Sequence, residues 1–97
     1  MKPVRLVESA EAEALAVFEF YSERSPGLGA EFSDEMERVL ALLGSYPEIG
    51  PPSQEDLRRV VLRRFPYYLL YRIEEDRILV LVVAHQSREP GYWQSPP

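Results

Sequence analysis

Three consecutive runs of β-forming residues in the second half of the chain constrain its fold most strongly. The runs cover residues 59–65, 67–73 and 78–83, and Pro66 and the charged segment 74–77 separate them. Proline marks the end or the edge of a strand, and a short charged segment between two β-rich runs is typical of a hairpin. The run 78–83 is apolar without alternation, which is typical of a strand buried on both faces. The sequence therefore predicts a meander whose last strand lies inside the sheet.

Apolar residues recur at helical spacing in two segments of the first half. They are Ala14, Val17, Phe18 and Tyr21 in the first segment, and Leu28, Phe32, Met36, Val39, Leu40 and Leu43 in the second. Ser9 is a suitable N-cap for the first helix, which we expect to end near Arg24 because residues 25–27 interrupt it. A second helix is predicted to begin around Leu28 and to end at Gly44. The short link predicts a helical hairpin whose apolar stripes face the core.

A β-branched run at residues 4–7 predicts one further strand before the helices. We expect this strand to pair beside the buried run 78–83, with the helical hairpin on one face of the sheet. The element order is then β-α-α-β-β-β, an α+β fold in which a helical hairpin packs on a mainly antiparallel four-stranded sheet. A length of 97 residues predicts a single domain over residues 1–97.

The acidic side chains are concentrated in the first half of the chain. The net charge is −5, and residues 1–46 account for all of it, with nine acidic and four basic side chains. Residues 57–73 carry five arginines and no acid. An overall negative charge argues against strong non-specific binding to nucleic acid, whose affinity depends on phosphate contacts. The local arginine set is still compatible with contact with a phosphate or an acidic partner.

The sequence disfavours several classes of functional site and of cellular location. There is no cysteine, which excludes a disulfide framework and a thiolate metal site. A glycine-rich phosphate loop, a nucleophile elbow and a metal-binding helix motif are absent, so no cofactor and no metal are expected. Arg5 and Glu8 interrupt any signal-peptide core, and the longest apolar run is far shorter than the roughly 20 residues of a membrane helix. We therefore expect a cytoplasmic protein without membrane contact.

The arginines of the first β-run are the strongest candidates for function. In a strand over residues 59–65, alternation places Arg59 and Arg63 on one face and Arg64 on the other. A guanidinium can grip a phosphate or carboxylate with two parallel hydrogen bonds. The alternative is that these arginines keep the surface soluble and pair with the acidic residues of the same chain.

The single histidine and the C-terminal tail supply the remaining candidates. His85 follows the buried run directly, where a general base would be well placed, although a single histidine near a core is more often a hydrogen-bonded structural residue. Arg88 and Tyr92 lie in the tail, and an aromatic ring beside an arginine could stack on a nucleic-acid base. Trp93 is better explained as a side chain that packs the tail onto the sheet.

Several short segments, taken in order, resemble the RelE/ParE superfamily of toxins from type II toxin–antitoxin systems, often called plasmid stabilisation proteins. The segments are 19–29 around the predicted helical turn, 46–50 in the connector, 57–67 and Tyr71-Arg72 in the sheet, and 84–93 at the end. The resemblance covers nearly the whole chain. It implies the same α+β fold and an antitoxin partner that neutralises the toxin.

The RelE-like branch of this superfamily cleaves mRNA in the ribosome with basic and aromatic side chains on the sheet and near the C-terminus. If this chain were such a nuclease, the resemblance would make Arg59, Arg63, His85, Arg88 and Tyr92 its candidate catalytic residues. Two expected cations are absent, because Val61 and Tyr68 stand at their positions. A net acidic chain is also a poor match for an enzyme that must approach a dense phosphate surface.

The ParE-like branch acts on DNA gyrase without known hydrolytic chemistry of its own, and residues 65–67 and 85–93 look more like this branch. The resemblance therefore favours a ParE-like toxin that binds a target such as DNA gyrase. The alternative is a ribosome-dependent mRNA endonuclease, and a third possibility is a protein that binds its antitoxin without being toxic. A homodimer is compatible with each of these hypotheses.

Overall fold

The computed structural model describes residues 1–87 and contains two helices and four strands within them. In chain order these elements are β1 (Val4–Leu6), α1 (Glu8–Arg24), α2 (Pro26–Ser45), β2 (Leu57–Val61), β3 (Tyr67–Ile73) and β4 (Ile78–His85). The helices form an antiparallel hairpin that packs on one face of the sheet, chiefly against β4. The predicted α+β fold of the order β-α-α-β-β-β is confirmed.

The sheet has the strand order β1-β4-β3-β2. Strand β4 lies inside it, parallel to β1 and antiparallel to β3, while β2 forms the far edge. A bulge interrupts the pairing of β3 with β4, because Leu70 lies opposite Val82 whereas Tyr71 lies opposite Val80. The interior position of β4 explains its uninterrupted apolar sequence.

The main core lies between the helices and the sheet. Buried side chains of both helices, of β3 and of β4 meet there. Four aromatic rings form its centre, with ring centroids 5.1–6.3 Å apart: Tyr21, Phe32, Phe65 and Tyr67. A second cluster of buried residues, which includes Leu57, Tyr68 and Leu70, occupies the opposite face of the sheet. The apolar stripes predicted from helical spacing are therefore core, as expected.

Both helices begin earlier than the sequence predicted. Helix α1 starts at Glu8 with Val7 at the N-cap position, not Ser9. The Val7 N–H donates to the Val80 carbonyl, and the Val7 carbonyl accepts the Glu11 N–H, so the chain passes from strand to helix without a spacer. Helix α2 starts at Pro26 rather than Leu28. Proline is favoured at the first position of a helix, where its missing N–H costs nothing.

The first strand of the meander is shorter than predicted and begins earlier. Strand β2 ends at Val61, and residues 62–66 form a loop in place of the predicted strand 59–65. Within this loop Arg64 adopts a positive φ of 68°, a conformation unusual outside glycine. Leu62 and Phe65 both enter the main core. In a regular strand these two residues would point to opposite faces, so burying both requires the loop.

Over residues 1–87, neither helix combines the length and the apolar character that crossing a membrane requires.

Candidate functional site

Arg59 lies in the middle of β2 on the face of the sheet that points away from the helices. Its guanidinium carbon is 4.1 Å from the centroid of the buried Tyr68 ring. Such stacking orients a cation without neutralising it. Among the side chains of residues 1–87, no carboxylate forms an ion pair with Arg59. Arg59 is therefore a positioned cation with its charge available to a partner.

Arg63 does not share a strand face with Arg59, contrary to the prediction. It lies in the loop after β2, and that loop is attached to α2 by two acidic residues one helical turn apart. The Glu35 carboxylate accepts the Arg63 backbone N–H, and Glu31 forms an ion pair with Arg64. Together with Asp34, Arg38 and Phe65, these residues line a cleft of about 200 Å³. The two loop arginines therefore belong to a contact between the helix and the loop.

Glu35 is the centre of this contact. Arg38 donates to it from Nε at 2.8 Å and from a terminal nitrogen at 2.9 Å, a two-bond geometry that is stronger than a single exposed pair. The hydrogen bonds from Arg38 lower the pKa of Glu35, the N–H of Arg63 lowers it further, and partial burial opposes both effects. The charged form of Glu35 is thus the one that holds the loop.

Replacing Glu35 with glutamine should destabilise the fold by about 1–2 kcal/mol at neutral pH, since the amide keeps an acceptor for Arg63 but loses the charge. The folded pKa lies below the ordinary value of 4.5. The contribution of Glu35 is therefore complete above that value and is lost as pH falls through the lower, folded pKa.

Urea unfolding of the wild type and of Glu35→Gln across a pH series measures this contribution. The difference between the two proteins should shrink below pH 4.5. Glu37→Gln is the matched control, because Glu37 is exposed on the same helix and forms no ion pair with any side chain of residues 1–87. A constant difference over the whole series would show that Glu35 does not act through its charge.

His85 ends β4, on the side of the sheet that faces the helices. Its ring packs edge-on against Tyr67, with centroids 5.1 Å apart. The Nδ1 atom accepts the Ser87 backbone N–H at 3.0 Å and lies 2.8 Å from the Ser87 hydroxyl. Because Nδ1 is an acceptor, the neutral ring carries its proton on Nε2. The lone pair that a general base would use is already engaged by a neighbouring residue.

The three sequence candidates within residues 1–87 do not converge. Arg59 and His85 lie on opposite faces of the sheet, while Arg63 lines the cleft beside α2. General acid–base chemistry requires groups within hydrogen-bonding reach of the same reacting atoms. Arg88 and Tyr92, the other two candidates, lie outside the described residues, as does Trp93. The described candidates thus do not form one catalytic centre.

A buried tyrosine fixes the connector between α2 and β2. The Tyr71 hydroxyl donates to the Pro47 carbonyl at 2.6 Å and accepts the Gly50 N–H at 3.0 Å. Arg58 donates to the Gly50 carbonyl at 2.7 Å. Burial raises the pKa of Tyr71, which keeps the hydroxyl protonated as the donor. Tyr71 of β3 and Arg58 of the neighbouring strand β2 therefore determine the path of residues 47–50.

The connector covers part of the outer edge of β2. Pro51 accepts the Arg59 N–H, and the Ser53 N–H donates to Leu57, so the edge strand is partly protected from pairing with another chain. A cavity of about 310 Å³ beside this edge is lined by Ile49, Gly50, Pro51, Arg59, Val60 and Val61. Ile49 and Val61 are half exposed there. This edge combines apolar surface with the charge of Arg59, which no carboxylate of residues 1–87 pairs.

Sequence reasoning missed the role of Tyr71 and the connection between Glu35 and the loop. The role of Tyr71 has two signals in the sequence. One is a hydroxyl within an apolar strand, and the other is a glycine within a proline-rich connector. No local signal reveals the connection between Glu35 and the loop, because its partners are 28 residues apart. Over residues 1–87, histidine and carboxylate side chains form no group of three or more that could hold a metal.

Comparison with known proteins places these features in a family. Residues 4–90 match the family model described as the ParE toxin of the type II toxin–antitoxin system parDE. The chain is 24% identical over 89 residues to Toxin ParE2 of two Mycobacterium tuberculosis strains, CDC 1551 / Oshkosh and ATCC 25618 / H37Rv. The match covers 91% of this chain and 85% of each relative.

A solved structure has the same fold as this chain. A chain from the chromosomal ParDE toxin–antitoxin system of P. aeruginosa superposes with a TM-score of 0.76 at 19% identity. The superposition covers 88% of this chain and 96% of that one. The predicted ParE-like assignment is confirmed over the RelE-like alternative. Because the family model spans most of its length, this chain belongs to the ParE toxin family of type II toxin–antitoxin systems.

Proposed function

We propose that this chain is a toxin that inhibits DNA gyrase by binding to it and does not cleave RNA. The observation that carries the proposal is the separation of Arg59, Arg63 and His85 onto different parts of the fold. RNA cleavage requires a base, a charge stabiliser and an acid around one phosphate. Binding to a protein target has no such requirement, because contacts can be spread over a surface.

The surroundings of Tyr68 also favour binding over RNA cleavage. Tyr68 stands where the RNA-cleaving branch is expected to place a central cation, and here the ring is buried beneath Arg59. Its ring supports the guanidinium of Arg59, but it brings no positive charge of its own to that position. A single oriented arginine suits a carboxylate on a protein partner.

The biological setting follows from the family and the target. A toxin of a type II system implies a cognate antitoxin that neutralises it. DNA gyrase acts on the chromosome, so the proposed site of action is the cytoplasm.

A translating extract tests the exclusion of RNA cleavage. Purified protein is added to an extract that translates a reporter mRNA, and the length of that mRNA is followed by primer extension. We expect full-length mRNA in the presence of the wild type and of the Arg59→Ala/His85→Ala double variant. Ribosome-dependent cleavage by the wild type that the double variant loses would contradict the proposal, provided that both proteins show the same far-UV circular dichroism.

A further inference from the structure

The outer edge of β2 is open at its last residue, Val61. The Arg59 N–H points out of the sheet and donates to the Pro51 carbonyl of the connector. Backbone groups of an antiparallel strand alternate between its two sides, so the N–H and carbonyl of Val61 point outward as those of Arg59 do. Within the described part of the chain, neither group of Val61 has a hydrogen-bond partner. The connector therefore covers the edge at Arg59 and leaves it open at Val61.

The apolar cavity beside this edge lies next to the open position. Ile49 of the connector and Val61 of the strand are its most exposed apolar side chains, at 49% and 51%. Pro51 and Val60 complete its apolar lining. An apolar side chain of a partner that entered the cavity would remove this surface from water, which is favourable. Apolar surface and unpaired backbone groups thus coincide at one end of β2.

The charge of Arg59 lies at the same place. Its guanidinium stacks on Tyr68, and Tyr68 is the direct cross-strand neighbour of Val61. The acidic side chain of the connector does not neutralise this charge, because Glu48 lies 3.5 Å from a terminal nitrogen of Arg58 instead. Stacking limits the orientations of the Arg59 guanidinium and leaves its N–H groups available as donors. The open edge is therefore accompanied by a positioned cation that can receive a carboxylate.

We infer that the β2 edge at Val61 binds an extended segment of the target enzyme that carries a carboxylate beside an apolar side chain. This inference rests on the proposed function, which is inhibition of DNA gyrase by binding. The backbone of the segment pairs with the N–H and carbonyl of Val61, as a peptide does when it adds a strand to an open sheet edge. The apolar side chain enters the cavity, and the carboxylate accepts hydrogen bonds from Arg59.

The charge of Arg59 selects among the partners that could occupy this edge. A second copy of this chain paired edge to edge would bring the two Arg59 guanidinium groups close together, which is unfavourable. Nucleic acid offers no peptide groups to Val61, and the net charge of −5 opposes its approach. A basic segment would leave Arg59 facing a like charge. An acidic, partly apolar segment of a protein is the partner that satisfies all three features of the edge.

Hydrogen exchange followed by mass spectrometry locates the contact without altering the chain. The full chain is measured alone and in complex with purified, intact DNA gyrase. The Val61 amide should exchange rapidly in the free chain, because its N–H is unpaired there. We expect gyrase to slow its exchange at least about tenfold, while the amides of residues 4–6, in the strand at the opposite edge of the sheet, exchange as in the free chain.

Two variants test the cation and the edge N–H separately, with immobilised gyrase measuring affinity. Arg59→Gln removes the charge, and Val61→Pro removes the outward N–H, a change that an edge strand tolerates. We expect each variant to bind gyrase about tenfold or more weakly than the wild type. Arg5→Gln is the matched control, because Arg5 is an exposed strand arginine that forms no ion pair with any side chain of residues 1–87. Its affinity should equal that of the wild type, and circular dichroism establishes that each variant is folded.

Failure of the inference and failure of the proposed function give different results. Binding of gyrase that leaves the Val61 amide unprotected would overturn the inference alone. Wild-type affinity in either folded variant, or an equal loss in Arg5→Gln, would do the same. Dimerisation of the free chain that Val61→Pro abolishes would assign the edge to a second copy and also overturn it. A wild type that does not bind gyrase at all would contradict the proposed function, and the inference with it.

Discussion

Replacing Phe32 with alanine should destabilise the protein by about 3–5 kcal/mol, the cost of removing a buried aromatic ring from a packed core. Phe32 is 1% exposed, and its ring centroid lies 5.5–6.1 Å from those of Tyr21, Phe65 and Tyr67. These rings belong to α1, α2, the loop after β2, and β3. One substitution therefore weakens the contact of both helices with the sheet.

This loss would be a large part of the free energy of unfolding, which is about 5–15 kcal/mol for domains of this size. Urea unfolding followed by circular dichroism measures it. Phe20→Ala is the matched control, because Phe20 is a helical phenylalanine that is 43% exposed, and we expect it to cost under about 1 kcal/mol. Equal losses in the two variants would contradict the assignment of Phe32 to the centre of the core.

Adding one methyl group at Gly50 should destabilise the protein by about 2–4 kcal/mol, from overpacking and from loss of a buried hydrogen bond. A Cβ atom at this position would lie 2.5 Å from the Arg59 carbonyl oxygen and 2.9 Å from the Tyr71 hydroxyl. Neither neighbour can move freely, because the first is backbone and the second is held by Pro47. Gly50→Ala should therefore displace the connector from the edge of β2.

Gly27→Ala adds the same methyl group, but we expect this variant to be more stable than the wild type. Gly27 lies in the first turn of α2, and a Cβ atom there would meet nothing within 4 Å. Alanine restricts the unfolded chain and favours the helix, so we expect a gain of about 0.5–1 kcal/mol. Thermal unfolding of the two variants should move in opposite directions, and a stabilised Gly50→Ala would refute the packing described for the connector.

The elements with a strong periodic pattern could be predicted from the sequence. The unbroken apolar run of β4 indicated a strand inside the sheet, and the helical spacing around Phe32 identified the side of α2 that forms the core. Both signals arise from burial, which dominates the choice of local structure. The start of α1 could not be predicted, because it is fixed by a backbone hydrogen bond from the Val7 N–H to the Val80 carbonyl of β4.

The candidate site was less predictable because its geometry depends on distant contacts. Alternation within a supposed strand placed Arg59 and Arg63 on the same face of the sheet. The burial of both Leu62 and Phe65 ends that strand at Val61 and carries Arg63 to the helix side.

The residue types at two positions of the sheet carry functional information by themselves. By the resemblance to the RelE/ParE superfamily, Val61 and Tyr68 stand where an RNA-cleaving relative is expected to carry cations. Val61 is 51% exposed at the β2 edge, and Tyr68 is buried under Arg59. Neither supplies charge to the sheet surface, and the half-exposed Val61 adds apolar area to the β2 edge.

A supercoiling assay with purified DNA gyrase measures whether this chain inhibits the enzyme. Gyrase, relaxed plasmid and ATP are mixed with increasing amounts of the purified chain, and the plasmid is resolved by electrophoresis. Inhibition by a bound toxin should rise with toxin concentration and reach saturation. Unimpaired supercoiling at a large molar excess of folded toxin would contradict the proposal that this chain inhibits DNA gyrase.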